Sequence, residues 1–157
     1  MHNSGQIFIH DIRKSVLLQA KMRLKRAGVQ NYQISPDKAK LRKSLKNRCD
    51  WVMLDVPCTG TGVIRKNPDL KWKFSLERLK EMQKVQSLIL EDSLNFLKDG
   101  KSKIVYSTCS ILNEENLLQV MQFCDRFGFE IENQSNFSTI PRSKGMDGFF
   151  SATLVPK

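Results

Sequence analysis

Two short stretches place a cysteine beside residues that could use it. Asp55-Val56-Pro57-Cys58-Thr59-Gly60-Thr61-Gly62 closes one apolar run, and Ser107-Thr108-Cys109-Ser110 closes another about fifty residues later. In an open α/β sheet, ligands bind at the carboxyl ends of the strands, so two thiols placed there point to covalent chemistry. Cys109 also precedes a helix-start signal, a setting in which backbone N–H groups and the helix field lower a thiol pKa. A thiolate there could attack an electrophilic carbon; for Cys109 alone, a buried cysteine at a strand end is the alternative. The first stretch is more specific. Pro57 fixes φ, Gly60 and Gly62 let the backbone approach a ligand, and Asp55 can accept hydrogen bonds from an amine or a ring N–H. A structural turn needs the proline and glycines, but not an acid and a thiol beside them.

Asp11 and Asp37 also stand at or just past the ends of apolar runs. In Rossmann-like sheets an acid after the second strand meets a ribose diol, and one after the third is placed to meet an adenine edge. For Asp37 a Pro36-Asp37 turn competes with that reading. Cys49 and Cys124 read as small, partly buried residues. No two of the four cysteines have C-x-x-C spacing and the only histidines are His2 and His10, so neither a metal site nor a disulfide framework is expected. A thiol hydrolase built on Cys109 would need His2 or His10 as its base, and alternation with Asp11 would turn His10 to the opposite sheet face.

The elements that must hold these residues follow from periodicity. Residues 7–11 read as a strand. Residues 12–27 read as a helix with Ile12, Val16, Leu17, Ala20 and Leu24 on one stripe, stopped at Gly28. Residues 32–35 read as a second strand and 38–48 as a basic helix with Leu41 and Leu45 apolar. Trp51 to Leu54 read as a buried strand running into Asp55, and 57–69 as loop. Ser75 can cap a long helix through Leu97, ended by Lys98-Asp99-Gly100. Lys103 to Tyr106 form the next strand, and Asn113 caps a helix from Glu114 to about Arg126 with acids in its first turn. Phe129–Glu132 and Phe149–Val155 close the chain as strands. Alternating strands and helices predict a parallel, doubly wound sheet, with one antiparallel strand at the end. No internal repeat or linker divides the chain, so residues 1–157 read as one domain.

Composition sets the surroundings. With 40% hydrophobic and 27% charged residues the chain fits a globular protein. No apolar run reaches the roughly 20 residues of a membrane span, and the start has no secretory pattern, so a cytoplasmic location without a membrane partner is expected. The net charge of +10 is lopsided: residues 1–50 hold 12 Lys and Arg against 3 acids, and the remainder 14 against 13. A local basic excess favours RNA or DNA; a solvated basic helix face is the plain alternative.

Taken together, the two cysteine stretches resemble those of the RNA 5-methylcytosine methyltransferases of the Sun/Nop2 group, and most closely its bacterial ribosomal branch. Gly62 to Trp72, Leu112-Asn113-Glu114-Glu115-Asn116 and Asp147-Gly148-Phe149-Phe150 resemble further segments of that group in the same order, so the likeness runs from about Gly5 to Lys157. It implies a Rossmann-like class I methyltransferase sheet, mostly parallel with an antiparallel last strand. It also implies S-adenosylmethionine as cofactor and RNA, in particular small-subunit rRNA, as partner. Cys109 would add to C6 of a cytosine, Cys58 would assist release, and Asp55 would hydrogen-bond the base edge while also lying against the cofactor. Asp11 would bind the cofactor's ribose hydroxyls and Asp37 its adenine side.

The group's first strand and glycine-rich cofactor loop have no counterpart among these residues, so the chain reads as part of a catalytic domain. It could be a truncated enzyme, a non-catalytic RNA-binding remnant, or one half of a split methyltransferase completed by a partner chain. The 157-residue chain alone is therefore expected to bind S-adenosylmethionine poorly or not at all. Calorimetry that finds low-micromolar binding would overturn this expectation.

Overall fold

Strand and helix patterns alternate from the start of the chain, and a computed structural model describes their arrangement over residues 3–98 and 100–157. His2 and Asp99, the one weighed as a base and the other as part of a helix stop, lie outside the described residues. The described chain falls into two compact units, one ending at Leu45 and one running from Lys46 to Lys157.

In the first unit, β1 (Ile7–Ile9) and β2 (Tyr32–Ile34) pair in parallel, Ile7 opposite Tyr32 and Ile9 opposite Ile34. Between them runs α1 (Lys14–Arg26), which buries Leu17. Gly28 follows its end with φ at +70°, a conformation that costs glycine little. Ile12, expected on the helical stripe, instead precedes α1 and is 88% exposed. The unit closes with α2 (Lys38–Leu45), which buries Leu45.

The second unit holds β3 (Trp51–Asp55), α3 (Leu70–Lys73), α4 (Leu76–Ser93), β4 (Lys103–Thr108), α5 (Leu117–Phe127), β5 (Phe129–Thr139) and β6 (Phe149–Pro156). Its sheet order is β3-β4-β6-β5. β3 pairs with β4 in parallel, and β6 runs antiparallel to both β4 and β5. The predicted mixed sheet with an antiparallel last strand is thus found, with β1 and β2 forming a separate pair. The register sets Leu54 opposite Tyr106, and Tyr106 opposite Ala152. On that face Ile104, Tyr106 and Leu154 are fully buried, packed with Leu90 of α4 and with Val120 and Phe123 of α5.

Several boundaries differ from those read in the sequence. Trp51 to Leu54 is not buried throughout: Trp51 is 58% and Met53 77% exposed. β3 is an edge strand, and only the face carrying Val52 and Leu54 meets the helices. Ser75 does cap α4, its Oγ accepting from the Arg78 N–H at 3.1 Å, but the helix stops at Ser93, and Leu97 bridges to Cys49 instead. α5 starts at Leu117, not Glu114, because residues 113–116 form turns that Asn113 closes by accepting the Leu118 N–H. The first-turn acids are therefore outside the helix. β5 outruns its predicted end at Glu132, continuing past a register break between Ile131 and Asn136 where Asn133 and Gln134 adopt positive φ. No helix of the described residues is long and apolar enough to cross a membrane.

A core on one face of the second sheet predicts unequal substitution costs. Leu154→Ala should lower the unfolding free energy by about 2–5 kcal/mol. Met53→Ala should change it by no more than about 0.5 kcal/mol. Urea denaturation measures both, and equal losses would contradict a one-sided core.

Candidate active site

The two cysteine loops are built by the parallel pair β3–β4. Asp55, the last residue of β3, lies opposite Ser107, and the Val56 N–H donates to the Ser107 carbonyl at 3.1 Å. Beyond that bond the strands diverge, at Pro57 in one loop and Cys109 in the other. Gly60 takes φ at +72°, turning the first loop into a 3-10 turn over Thr61–Val63. There the Gly62 N–H donates to the Cys109 carbonyl at 2.9 Å, and the Gly62 carbonyl accepts from the Gly148 N–H at 2.8 Å. A Cβ on Gly62 would stand 2.6 Å from both the Cys109 and Gly148 carbonyl oxygens, so only glycine allows three loops to meet there.

Side chains fix the rest of both loops. Thr108 Oγ1 donates to Asn116 Oδ1 at 2.6 Å, and Asn116 Nδ2 donates to the Ser110 carbonyl at 2.9 Å. These two bonds close the turn around Cys109. Thr61 and Ser110 hydroxyls lie 3.0 Å apart and link that turn to the 3-10 turn. Glu115, fully buried, accepts from the Thr59 N–H at 2.8 Å and the Thr59 hydroxyl at 2.5 Å. Arg65 reaches over to Asp147 Oδ1 at 2.6 Å and to the Gly145 carbonyl at 2.7 Å, while Lys66 pairs with Asp147 Oδ2 at 2.5 Å. These cations hold the Asp147 carboxyl below the usual carboxylate range.

The outcome is a pair of free thiols with Cys58 Sγ and Cys109 Sγ 3.2 Å apart, both half-buried. They are not equivalent. Either sulfur can donate while both are protonated; once Cys109 is ionised the donor is the Cys58 S–H, which brings the Cys109 pKa down to about 7 against the opposing effects of burial and of the Asp55 and Glu115 charges. Cys58, as the donor and the more enclosed of the two, is pushed well up. The arrangement therefore offers one thiolate near neutrality, one thiol that keeps its proton, and an exposed carboxylate at Asp55, close enough to act on the thiolate. That set can make and break a bond to an electrophilic carbon.

The sequence reading singled out Cys58, Cys109 and Asp55, and the structure brings them together. Asp11 and Asp37 belong to the first unit. Asp11 lies just past β1 and is paired with Arg13, whose backbone N–H donates at 2.7 Å and whose guanidinium sits at 3.0 Å, an interaction that lowers its pKa. Asp37 Oδ1 accepts the Lys40 N–H at 3.0 Å, a helix-capping bond at the start of α2 that a Pro-Asp turn also explains. His10 Nδ1 meets the Ser35 carbonyl at 2.8 Å. Thr59, Glu115 and Asn116 stand within the motif stretches but carry no role of their own there, and Gln86 is in none of them. A carboxylate and amides adjoining the cysteine stretches were the available signal for Glu115 and Asn116; Gln86 sits among the helical positions of α4 and gave none.

A family model described as 16S rRNA methyltransferase RsmB/F matches residues 1–155. Ribosomal RNA small subunit methyltransferase B of Citrobacter koseri is 38% identical over 118 residues, which cover 71% of this chain. The chain spans only 27% of that relative's length. Among solved structures, a methyltransferase homolog protein from Pyrococcus horikoshii superposes with a TM-score of 0.82 and 27% identity, covering all of this chain and 55% of that one. NSun6 from Pyrococcus horikoshii superposes with a TM-score of 0.77 and 30% identity, covering 98% of this chain and 42% of that one.

The unequal thiols predict unequal reactivity. Alkylation of Cys109 by iodoacetamide should rise through about pH 7, while Cys58 stays unreactive there. Cys58→Ala should move the Cys109 midpoint upward, since the thiolate loses its S–H donor. Site-resolved mass spectrometry across a pH series reads both, and an unmoved midpoint in Cys58→Ala would refute the donor role.

Proposed function

Because the chain belongs to the 16S rRNA methyltransferase RsmB/F family, we propose that it forms the thiol-bearing part of an RNA cytosine-C5 methyltransferase acting on small-subunit rRNA. The observation that carries the reading is the 3.2 Å contact between the Cys58 and Cys109 sulfurs at the ends of two paired strands, a contact that lowers the Cys109 pKa and raises that of Cys58. A nucleophile and a proton-bearing partner are what reversible addition to a pyrimidine ring requires.

S-adenosylmethionine is the cofactor in this reading and supplies an electrophilic methyl group. Its polar groups suit the carboxylates at the strand ends: acceptors at Asp11 and Asp37 for ribose hydroxyls and an adenine edge, and Asp55 between cofactor and base. Each of the three lies at or just past the carboxyl end of a strand, where ligands bind in such sheets.

In the reaction the Cys109 thiolate forms a bond to C6 of the cytosine, and the electron pair of the C5–C6 double bond moves toward C5. Asp55 holds the N3/N4 edge and steadies the charge that develops on the ring, a contribution made chiefly in the transition state. With the methyl group on C5 and the cofactor's neutral thioether as leaving group, the C5 proton passes to water, the C5–C6 double bond re-forms, and the Cys109–C6 bonding pair returns to the Cys109 sulfur. Cys58 assists that release. The base must leave its stack to reach the thiol, and the basic excess of residues 1–50 would hold the surrounding phosphates. Among the described residues no strand is hydrogen-bonded to the outer edge of β3, and an unpaired edge can take a further strand, either from more of the same polypeptide or from a partner chain.

The test is a methyl-transfer assay on a cytosine-containing rRNA fragment, with the family's glycine-rich loop supplied in cis or in trans. Cys109→Ala should reduce transfer to background. Cys58→Ala should accumulate a protein–RNA adduct that survives denaturing electrophoresis. Full turnover by Cys109→Ala would overturn the mechanism. RNA binding that weakens with salt, without any transfer, would favour a non-catalytic RNA-binding module.

A further inference from the structure

Glu115 is the one acidic side chain in the buried polar set of the described residues, and it is 0% exposed. A carboxylate is costly to bury unless its oxygens are hydrogen-bonded. Three donors meet these oxygens. The Thr59 N–H and Gln86 Nε2 reach Oε1 at 2.8 and 3.0 Å, and the Thr59 hydroxyl reaches Oε2 at 2.5 Å. Behind it, the Tyr106 hydroxyl donates to the Glu115 carbonyl at 2.6 Å and fixes the residue to β4. Gln86 Nε2 also donates to the Pro57 carbonyl at 2.9 Å. The residues on either side of Cys58, Pro57 and Thr59, are therefore both anchored to this one buried cluster.

We propose that Glu115 is a positioning residue for the thiol pair: its carboxylate fixes the Pro57–Thr59 segment so that Cys58 Sγ stays against Cys109 Sγ. The proposal rests on the reading of Cys109 as nucleophile for its catalytic meaning, but its physical content is independent of any RNA or methyl donor.

Two influences of Glu115 on Cys109 have opposite signs, which separates a positioning role from a purely electrostatic one. Its negative charge raises the Cys109 pKa, as does that of Asp55 at the end of β3. Its hold on Thr59 keeps the Cys58 donor in place, which lowers it. Of the side chains that set the Cys109 pKa, Cys58, Asp55 and Glu115 are the titratable ones, and Tyr106 stays a neutral donor because burial pushes its hydroxyl up. A glutamine at 115 can keep the geometry, its Oε1 accepting from the Thr59 N–H and Gln86 while its Nε2 donates to the Thr59 hydroxyl. It removes only the charge. An alanine removes both.

The experiment follows Cys109 alkylation by iodoacetamide in the 157-residue chain by site-resolved mass spectrometry across a pH series. Buried Cys124 in the same molecule reports whether the fold persists. In Glu115→Ala the Cys109 midpoint should rise, and the rate at pH 7 should fall roughly tenfold or more, the effect of losing one charge-assisted hydrogen bond. In Glu115→Gln the midpoint should stay or fall slightly. A midpoint that holds or falls in Glu115→Ala, or that rises equally in both variants, overturns the proposal. If Cys124 becomes reactive in Glu115→Ala, Thr59→Val decides: it removes the hydroxyl bond alone, and a rise of the Cys109 midpoint supports the proposal while no rise overturns it. None of these readouts involves methyl transfer, so failure of the proposed reaction and failure of the positioning role give different results.

Discussion

The distance between the two thiols depends on a residue with no side chain. Gly62 lies where the loop after β3, the loop after β4 and the loop before β6 come within backbone hydrogen-bonding reach, donating to Cys109 and accepting from Gly148. Any Cβ there would sit within 2.6 Å of two carbonyl oxygens, and both belong to backbone that cannot swing aside. The parallel pairing of β3 and β4 brings the strand ends near one another, but pairing ends with the Val56 N–H. From that point the thiol contact relies on this glycine junction and on side chains.

Those side chains are mostly polar and mostly buried: Thr59, Gln86, Thr108, Ser110, Glu115 and Asn116. Burying them costs free energy, and an apolar filling of the same volume is often as stable or more so. What polar groups add is direction, because each hydrogen bond admits a narrow range of geometry. Thr108 and Asn116 shape the turn around Cys109, and Glu115 and Gln86 shape the one around Cys58. The apolar core, with Ile104 and Leu154 of the sheet packed with Val120 of α5, gives that network a rigid base. The division of labour is thus between a core that stabilises and a polar cluster that orients.

How much of this could be read in the sequence follows from the same division. The alternation of strands and helices, the cap at Ser75 and the placement of Asp55, Cys58 and Cys109 at or past strand ends were legible because periodicity and turn residues are local signals. The exposure of Met53 was not, because an apolar strand looks the same whether one face or both are covered; that depends on which face another layer packs against. The start of α5 was misplaced because acids after Asn113 look like a first helical turn, whereas Glu115 is drawn inward by donors on Thr59, 56 residues away in sequence. Gln86 was invisible, since one polar residue on a helix says nothing about what it faces.

The asymmetry of the thiols shows why orientation matters more than composition here. Burial raises the pKa of any thiol, and the negative charges of Asp55 and Glu115 raise that of Cys109 further. Two cysteines in this setting, far apart, would both remain protonated near neutrality. The donor from Cys58 reverses the balance for one of them, and it can do so only at contact distance, because a hydrogen bond weakens steeply with separation and angle. Ionisation of Cys109 is therefore a consequence of how tightly the loops are held. Stability of the polar cluster and ionisation of Cys109 are coupled through the one contact between the two sulfurs.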